Sequence, residues 1–290
     1  MPSPILLSPH QKDLGGGFFV RRSLPAAQQR AVGPFVFFDH FGPVTATPAD
    51  NHDVRPHPHI GLATVTYLFK GAMMHRDSTG IAQRIEPGAI NWMTAGRGIV
   101  HSERTPEDLR NVTRTSHGLQ LWAALPEADE EIEPSFSHTP AALIPQAERP
   151  GATLRVLIGE AFGLQSPVPV RSPTLYVDIQ LQAGATLPIE DRAEERALYL
   201  VQGELQVDGA ELPAQHMLVL EPGSTPQLQS ASGARVVLIG GAPLGHRFMW
   251  WNFVSSSRER IAQAADAWEA DTIGQVPGET ERIPLPERKF

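Results

Sequence analysis

Residues 63–93 read ATVTYLFKGAMMHRDSTGIAQRIEPGAINWM, and this stretch decides the fold class. Runs of β-branched and aromatic residues alternate with turn signals at residues 70–71, 77–80 and 86–88. Short strands punctuated by Gly and Pro turns about every eight to twelve residues are typical of a β-sandwich or a closed barrel. We therefore predict an all-β chain.

Two short motifs flank this stretch: His57-Pro58-His59 before it and His101-Ser102-Glu103 after it. Successive side chains on a strand point to opposite faces, so residues two apart share a face at a separation of about 7 Å. Two such strands side by side would bring three imidazoles and one carboxylate to one point. This donor set suits Fe(II), Mn(II), Ni(II), Cu(II) or Zn(II). The spacing predicts a metal site formed by His57, His59, His101 and Glu103.

The sequence around these motifs resembles the pirin family of the cupin superfamily. The resemblance rests on residues 37–43 (FFDHFGP), 55–61 (RPHPHIG), 66–68 (TYL) and 92–103 (WMTAGRGIVHSE), and it is dense over residues 15–125. Ordinary cupins carry a glutamate shortly after His-x-His, where this chain has Ala63, Thr64 and Val65. In pirins the acidic ligand instead lies two residues after the third histidine, and Glu103 fits that position.

The resemblance implies a metal-dependent dioxygenase, because bacterial pirins are linked to quercetin 2,3-dioxygenase activity. The substrates would be a flavonol and dioxygen, with Glu103 as the general base that accepts the 3-hydroxyl proton, and ring opening would release carbon monoxide and a depside. One divalent metal is expected, Fe(II) first, with Mn, Ni, Co, Cu or Zn as alternatives. The competing function is a non-enzymatic metal- or redox-sensing regulator that acts through protein partners.

A weak internal repeat of strands and turns predicts two cupin-type barrels of jelly-roll form, a bicupin. We expect an N-terminal barrel with the metal site over residues 1–130 and an acidic, Pro-rich connection over 131–150. Residues 151–290 would form a degenerate barrel that lacks a metal, because residues 187–190 (LPIE) stand where the first half has His-x-His.

The clearest predicted helix covers residues 255–270. Three serines at 255–257 offer N-cap oxygens, and Ile261, Ala264, Ala265 and Trp268 follow the spacing of a single apolar stripe. We expect this helix to pack on the flank of a barrel.

The composition excludes several classes of protein. The 290-residue chain has no cysteine, which rules out disulfides and thiolate ligands. Its 24 Lys+Arg against 32 Asp+Glu give a net charge of −8 without a basic cluster, so direct nucleic-acid binding is not expected. An apolar run long enough to span a membrane is missing, as is a signal-peptide pattern, so we expect a cytoplasmic protein without membrane contact.

Other histidines favour structural roles. His40 follows an aromatic run and is expected to pack at the barrel rim. His75 is expected to hydrogen-bond Asp77 at a hairpin turn. His216 lies alone in an apolar stretch and is interpreted as a structural histidine.

Overall fold

The computed structural model describes residues 3–15 and 17–287 of the chain. Strands make up 49% and helix 7%, which confirms the all-β prediction. The described part contains one α-helix, α1 (Arg258–Glu269), and three short 3-10 helices at Glu107–Leu109, Glu127–Asp129 and Ala141–Leu143. Within that part, α1 is too short and too polar to cross a membrane.

The strands in chain order are β1 (Ile5–Leu7), β2 (His10–Asp13), β3 (Phe19–Leu24), β4 (Phe35–Ala46), β5 (Val54–His59), β6 (Leu62–Lys70), β7 (Met73–Asp77), β8 (Ala82–Ile85), β9 (Ile90–Thr94), β10 (Ile99–Arg104), β11 (Arg114–Ala124), β12 (Ser135–Thr139), β13 (Gln146–Arg149), β14 (Ala152–Ile158), β15 (Glu160–Ala161), β16 (Leu164–Gln165), β17 (Thr174–Leu181), β18 (Thr186–Pro188), β19 (Glu195–Gly203), β20 (Leu205–Val207), β21 (Ala210–Leu212), β22 (Met217–Val219), β23 (Gln227–Gln229), β24 (Ala234–Gly241), β25 (Phe248–Trp250) and β26 (Phe253–Ser255).

The contacts divide the chain into two compact units. The first, here called the site unit, comprises residues 13–20, 40–138 and 244–290. Its four-stranded sheet has the order β5-β10-β7-β8, so the strands that carry the two predicted metal motifs are neighbours. A seven-stranded sheet has the order β12-β9-β6-β11-β4-β3-β2, and the division of the chain passes through β2, β3 and β4.

The second unit comprises residues 1–12, 21–39 and 139–243. It has a seven-stranded sheet of order β1-β22-β19-β24-β17-β14-β13 and a four-stranded sheet of order β18-β23-β20-β21. Its core is a cluster of buried aliphatic side chains contributed by both sheets, including Val156, Val177, Leu187, Leu228 and Val236. This unit therefore has its own hydrophobic core.

The two units differ from the domain boundaries expected from the sequence. The amino-terminal residues 1–12 belong to the second unit because β1 pairs with β22, residue Leu6 opposite Leu218. The carboxy-terminal residues 244–290 belong to the site unit. The expected connection at 131–150 is partly strand, since β12 joins the sheet of the site unit and β13 pairs with β14.

Helix α1 begins three residues later than predicted. Ser255 ends β26, and Ser257 is the N-cap, its hydroxyl accepting a hydrogen bond from the Arg260 amide at 3.3 Å. The predicted stripe is buried and packs against Ile60 and Val100, next to two of the predicted ligands. The helix therefore supports the strands of the site from one side.

Gly61, two residues after His59, occupies a position that requires glycine. Its φ is +65°, and a Cβ there would collide with the carbonyl oxygen of Val254. Only glycine combines that backbone angle with so close an approach of β26. The turn after β5 is therefore held against the carboxy-terminal part of the site unit.

Candidate metal centre

Strands β5 and β10 pair antiparallel and place the two motifs face to face. His101 lies directly opposite His57, and Ile99 lies opposite His59. The register shifts between His101 and Glu103, because Glu103 is opposite Val54, three residues from His57. Two residues of β5, Arg55 and Pro56, thus stand opposite the single residue Ser102 of β10, a bulge of the kind that accommodates proline.

Three imidazoles converge at this pairing. One ligand atom from each of His57, His59 and His101 lies within 4.8 Å of the other two, and all three residues are buried. The ring centroids are 4.3 Å apart for His57 and His101 and 5.1 Å apart for each of the other two pairs. This set could hold a metal ion, because a trigonal face of neutral imidazoles is a common way to bind a divalent metal.

Backbone carbonyls fix the tautomers of two of the histidines. Nδ1 of His57 lies 2.9 Å from the carbonyl oxygen of Arg55, and Nδ1 of His59 lies 3.0 Å from that of Asn252. A carbonyl can only accept, so Nδ1 donates in both rings and the Nε2 lone pair is left available. Such a hydrogen bond on the far nitrogen is the usual way in which a protein orients a ligating imidazole.

His101, unlike the other two histidines, has no hydrogen-bond partner among the described residues. Both of its ring nitrogens are buried without a hydrogen-bond partner. A buried polar atom without a partner costs about 1–3 kcal/mol. A cation coordinated by the three histidines would satisfy one of these nitrogens, so the residues fit a metal ion.

Burial keeps all three imidazoles neutral. It lowers the pKa of His57 to about 4, and it holds the pKa of His59 and of His101 well below the usual value for histidine. Mutual repulsion between the protonated rings acts in the same direction. Neutral imidazole is the form that binds metal, so the centre is ready to bind at neutral pH.

Glu103 lies outside the set of three. Its carboxylate is not among the atoms that lie within 4.8 Å of one another, and its side chain is half-buried on the same strand as His101. Burial raises the pKa of Glu103 to about 7. The structure therefore brings together three of the four predicted ligands, and the role of Glu103 as the fourth stays a prediction.

A buried histidine–aspartate pair adjoins the centre. The ring of His75 on β7 lies 5.3 Å from that of His101, and His75 Nε2 donates to Asp77 at 2.9 Å. This hydrogen bond was predicted at a hairpin turn and lies there, at the end of β7, with both residues buried. Burial opposes ionisation of Asp77, yet hydrogen bonds from His75 and Thr79 hold its pKa below the usual value. Phe136 stacks on the ring of His75, with 4.4 Å between ring centroids.

The remaining candidate histidines do not join the centre. His40 is buried on β4, where its Nε2 lies 2.8 Å from Nε2 of His117. In the second unit, Nδ1 of His216 donates to the Ala214 carbonyl at 3.0 Å, and the structural role of His216 stays a prediction.

Two features of the centre carried no signal in the sequence. Asn252 contributes its backbone carbonyl, which any residue could provide, from a hairpin 193 residues beyond His59. Trp122 on β11 packs edge-on against His59 with 5.1 Å between ring centroids.

Comparison with known proteins agrees with both halves of this architecture. Residues 17–123 match the family model Pirin, and residues 176–274 match the model described as the pirin C-terminal cupin domain. A pirin-like protein of Caulobacter vibrioides is 47% identical over 288 residues, covering 98% of this chain and 99% of that protein. Human pirin is 35% identical over 269 residues, covering 89% of each chain.

A solved structure is similar over nearly the whole chain. The crystal structure of a quercetin 2,3-dioxygenase from Acinetobacter baumannii aligns with a TM-score of 0.90 at 34% identity, covering 99% of this chain and 97% of that one. The predicted bicupin fold is therefore confirmed. With two cupin domains, both matched by pirin models, and full-length relatives of that name, the chain belongs to the pirin family.

Proposed function

We propose that this protein is a metal-dependent dioxygenase that cleaves flavonols such as quercetin. The observation that carries the proposal is the buried set of His57, His59 and His101, in which two rings are oriented by carbonyls and the third lacks a partner. Support for the substrate comes from the similarity to a protein named quercetin 2,3-dioxygenase.

We assign His57, His59 and His101 as metal ligands, with Glu103 as a fourth ligand or close neighbour. When bound, a divalent ion would supply Lewis acidity to the 3-hydroxyl and 4-carbonyl oxygens of a flavonol. Three protein nitrogens leave coordination positions open, as a catalytic site requires. Fe(II) is the metal we expect, with Mn, Ni, Co, Cu and Zn as the alternatives to test.

Glu103 is assigned as the general base. Burial raises the pKa of the Glu103 side chain to about 7, so this carboxylate is more basic than that of an ordinary glutamate. A carboxylate of this basicity accepts the proton of the flavonol 3-hydroxyl near neutral pH. The resulting anion is electron-rich enough to react with dioxygen, and the overall reaction converts one flavonol and one dioxygen into one depside and one carbon monoxide.

The walls of the centre suit an apolar, aromatic substrate. Trp122 packs against His59, the rings of His75 and His101 are 5.3 Å apart, and Phe136 stacks on His75. The three imidazoles are themselves buried, and burial strengthens the electrostatic interactions inside a site.

The test is simultaneous measurement of flavonol absorbance and dioxygen consumption. Metal-free protein would be reconstituted separately with Fe(II), Mn(II), Ni(II), Co(II), Cu(II) and Zn(II), and each compared with free metal. We expect loss of quercetin with equal molar oxygen uptake for at least one ion. The matched flavone that lacks the 3-hydroxyl should be inert, because it has no 3-hydroxyl proton for Glu103 to accept.

A negative result would be informative. If no ion gave flavonol loss above the free-metal background, the dioxygenase would be excluded. A non-enzymatic, metal-sensing regulator would then be the better account of the same three histidines.

A further inference from the structure

We propose that Glu279, from the carboxy-terminal end of the chain, is a positioning residue for the metal centre. The inference rests on the proposed metal site and deepens it. Residues 277–283, here called the C-terminal strap, lie beyond both segments matched by the pirin family models. They contact β5 and β10, the two strands that carry the three histidines.

The first contact is to the back of β10. Side chains on a strand alternate, so His101 faces the centre while Ser102 and Arg104 face away from it. The Ser102 hydroxyl donates to one carboxylate oxygen of Glu279, and Arg104 donates through Nε, at 3.1 Å, and through Nη2 to the other. Ser102 is fully buried, so this bond is shielded from water.

Charge strengthens this contact. Burial opposes ionisation of Glu279, but the hydrogen bonds from Arg104 and Ser102 hold its pKa below the usual value. The carboxylate therefore stays charged, and charge-assisted hydrogen bonds are roughly twice as strong as neutral ones. The residue fixed by this carboxylate, Ser102, lies directly between His101 and Glu103.

The second contact is to β5. The amide of Ile283 donates to the carbonyl oxygen of Pro56 at 2.8 Å, one residue before His57. Pro56 lies at the bulge, where the β5–β10 ladder is irregular. The strap therefore adds a backbone hydrogen bond to β5 at the irregular part of the β5–β10 pairing.

The strap is itself anchored to helix α1. The indole Nε1 of Trp268 donates to the Ile283 carbonyl at 3.0 Å, and Arg282 donates to the Trp268 carbonyl at 2.7 Å. The Arg282 guanidinium also lies over the Trp268 ring at 4.4 Å. Since Trp268 is 1% exposed, these bonds tie the strap to the core of the site unit.

His101 is the ligand most sensitive to such support. Its ring nitrogens have no protein partner, whereas His57 and His59 are each oriented by a carbonyl. The orientation of His101 therefore depends on where β10 places it. Removal of the Glu279 bond frees Ser102 and lets the His101 ring shift relative to the other two.

The experiment measures Co(II) binding to metal-free full-length protein by titration, together with the visible absorption spectrum of the bound Co(II). The variants are Glu279→Ala and Ser102→Ala, with Glu281→Ala as the matched control. Glu281 also accepts from Arg104, at 2.8 Å, but it is exposed and does not contact Ser102. Groups that orient metal ligands typically contribute about 10- to 100-fold in affinity.

We expect Glu279→Ala and Ser102→Ala to weaken Co(II) binding about 10-fold and to alter the Co(II) spectrum. Glu281→Ala should stay within about twofold of wild type, as expected for an exposed ion pair. If Glu279→Ala only lowers the thermal midpoint of the metal-free protein, with wild-type affinity and spectrum, the positioning role is overturned. If the wild-type protein binds no Co(II), the metal site proposed above fails, and this inference fails with it.

Discussion

His57 and His101 lie directly opposite each other on β5 and β10, with 4.3 Å between their ring centroids. Two buried imidazoles this close cannot both be in the charged imidazolium form, because the two charged rings would repel each other in a medium of low dielectric. Each neutral ring therefore keeps one nitrogen lone pair that can coordinate a metal. A divalent cation is the partner that such an arrangement favours.

Loss of either ring of this pair should abolish metal binding. His57→Ala and His101→Ala each remove one of three nitrogen donors, and we expect affinity to fall by more than about 100-fold, beyond the effect of losing a residue that only orients a ligand. Metal content after dialysis and a binding titration would measure it. His216→Ala, in the second unit, is the control and should retain wild-type affinity. Metal retained in full by both ligand variants would contradict the assignment.

Acid should destabilise the metal-free protein through the same residues. Burial lowers the pKa of His57 from an ordinary 6.5 to about 4, so the unfolded chain binds the proton more tightly. The stability contributed by neutral His57 is complete above pH 6.5 and is lost as the pH falls to about 4. A shift of this size corresponds to about 3 kcal/mol, and His59 and His101 act in the same direction.

Glu103 acts in the opposite direction, since its raised pKa means that the folded protein binds that proton first. Denaturant unfolding of metal-free protein between pH 7 and pH 4 would measure how steeply the free energy of unfolding changes with pH. The His57→Gln variant should lose less stability over this range than wild type, and Glu103→Gln should lose more. Identical slopes in all three proteins would contradict this account.

The local geometry of the centre could be predicted, but its long-range partners could not. Alternation along a strand is fixed by backbone geometry, so the shared face of His57 and His59 could be deduced from their spacing alone. The bulge at Pro56 could not, because a one-residue shift of register depends on both strands. The register of β10 with β7 stays regular through Glu103, so the alternation that places Glu103 on the face of His101 could be deduced from the sequence.

The fold shows the same limit. Turn spacing predicted short strands in both halves, and the apolar stripe predicted α1. The hydrogen bond from His59 to Asn252 and that from Ser102 to Glu279 join residues 193 and 177 positions apart. Neither partner belongs to a motif, and the Asn252 contact uses only backbone, so no side-chain pattern could indicate it.

Glu130 should be far more important for stability than its neighbour Glu131. The Glu130 carboxylate is buried and accepts hydrogen bonds from Ser255 and from the Ser256 amide, and it pairs with Arg247 at 2.9 Å. Glu130→Ala leaves the Arg247 guanidinium buried without its charge partner, which should cost about 3–5 kcal/mol of unfolding free energy.

Glu131 provides the matched control, because it forms an exposed ion pair with Arg260 at 2.7 Å. Glu131→Ala should change the unfolding free energy by less than about 1 kcal/mol. Urea denaturation of the three proteins, read by tryptophan fluorescence, would measure both effects. Equal effects of the two substitutions would mean that the buried contacts of Glu130 with Ser255, Ser256 and Arg247 do not contribute to the stability of the fold.

Glu103 separates metal binding from catalysis. Glu103→Gln keeps the shape of the side chain but removes the group assigned to accept the flavonol proton, so we expect kcat to fall by about 10²- to 10⁴-fold, the usual contribution of a general base. Because the three imidazoles remain, the variant should still bind metal, as titration would show. Glu107→Gln is the control and should retain full activity, because the side chain of Glu107 is 90% exposed.

The pH dependence of kcat adds a second check. For the wild-type protein, kcat should rise with pH as Glu103 loses its proton, and this rise should vanish in Glu103→Gln. Full activity in Glu103→Gln would leave the metal site standing and show that another group accepts the proton.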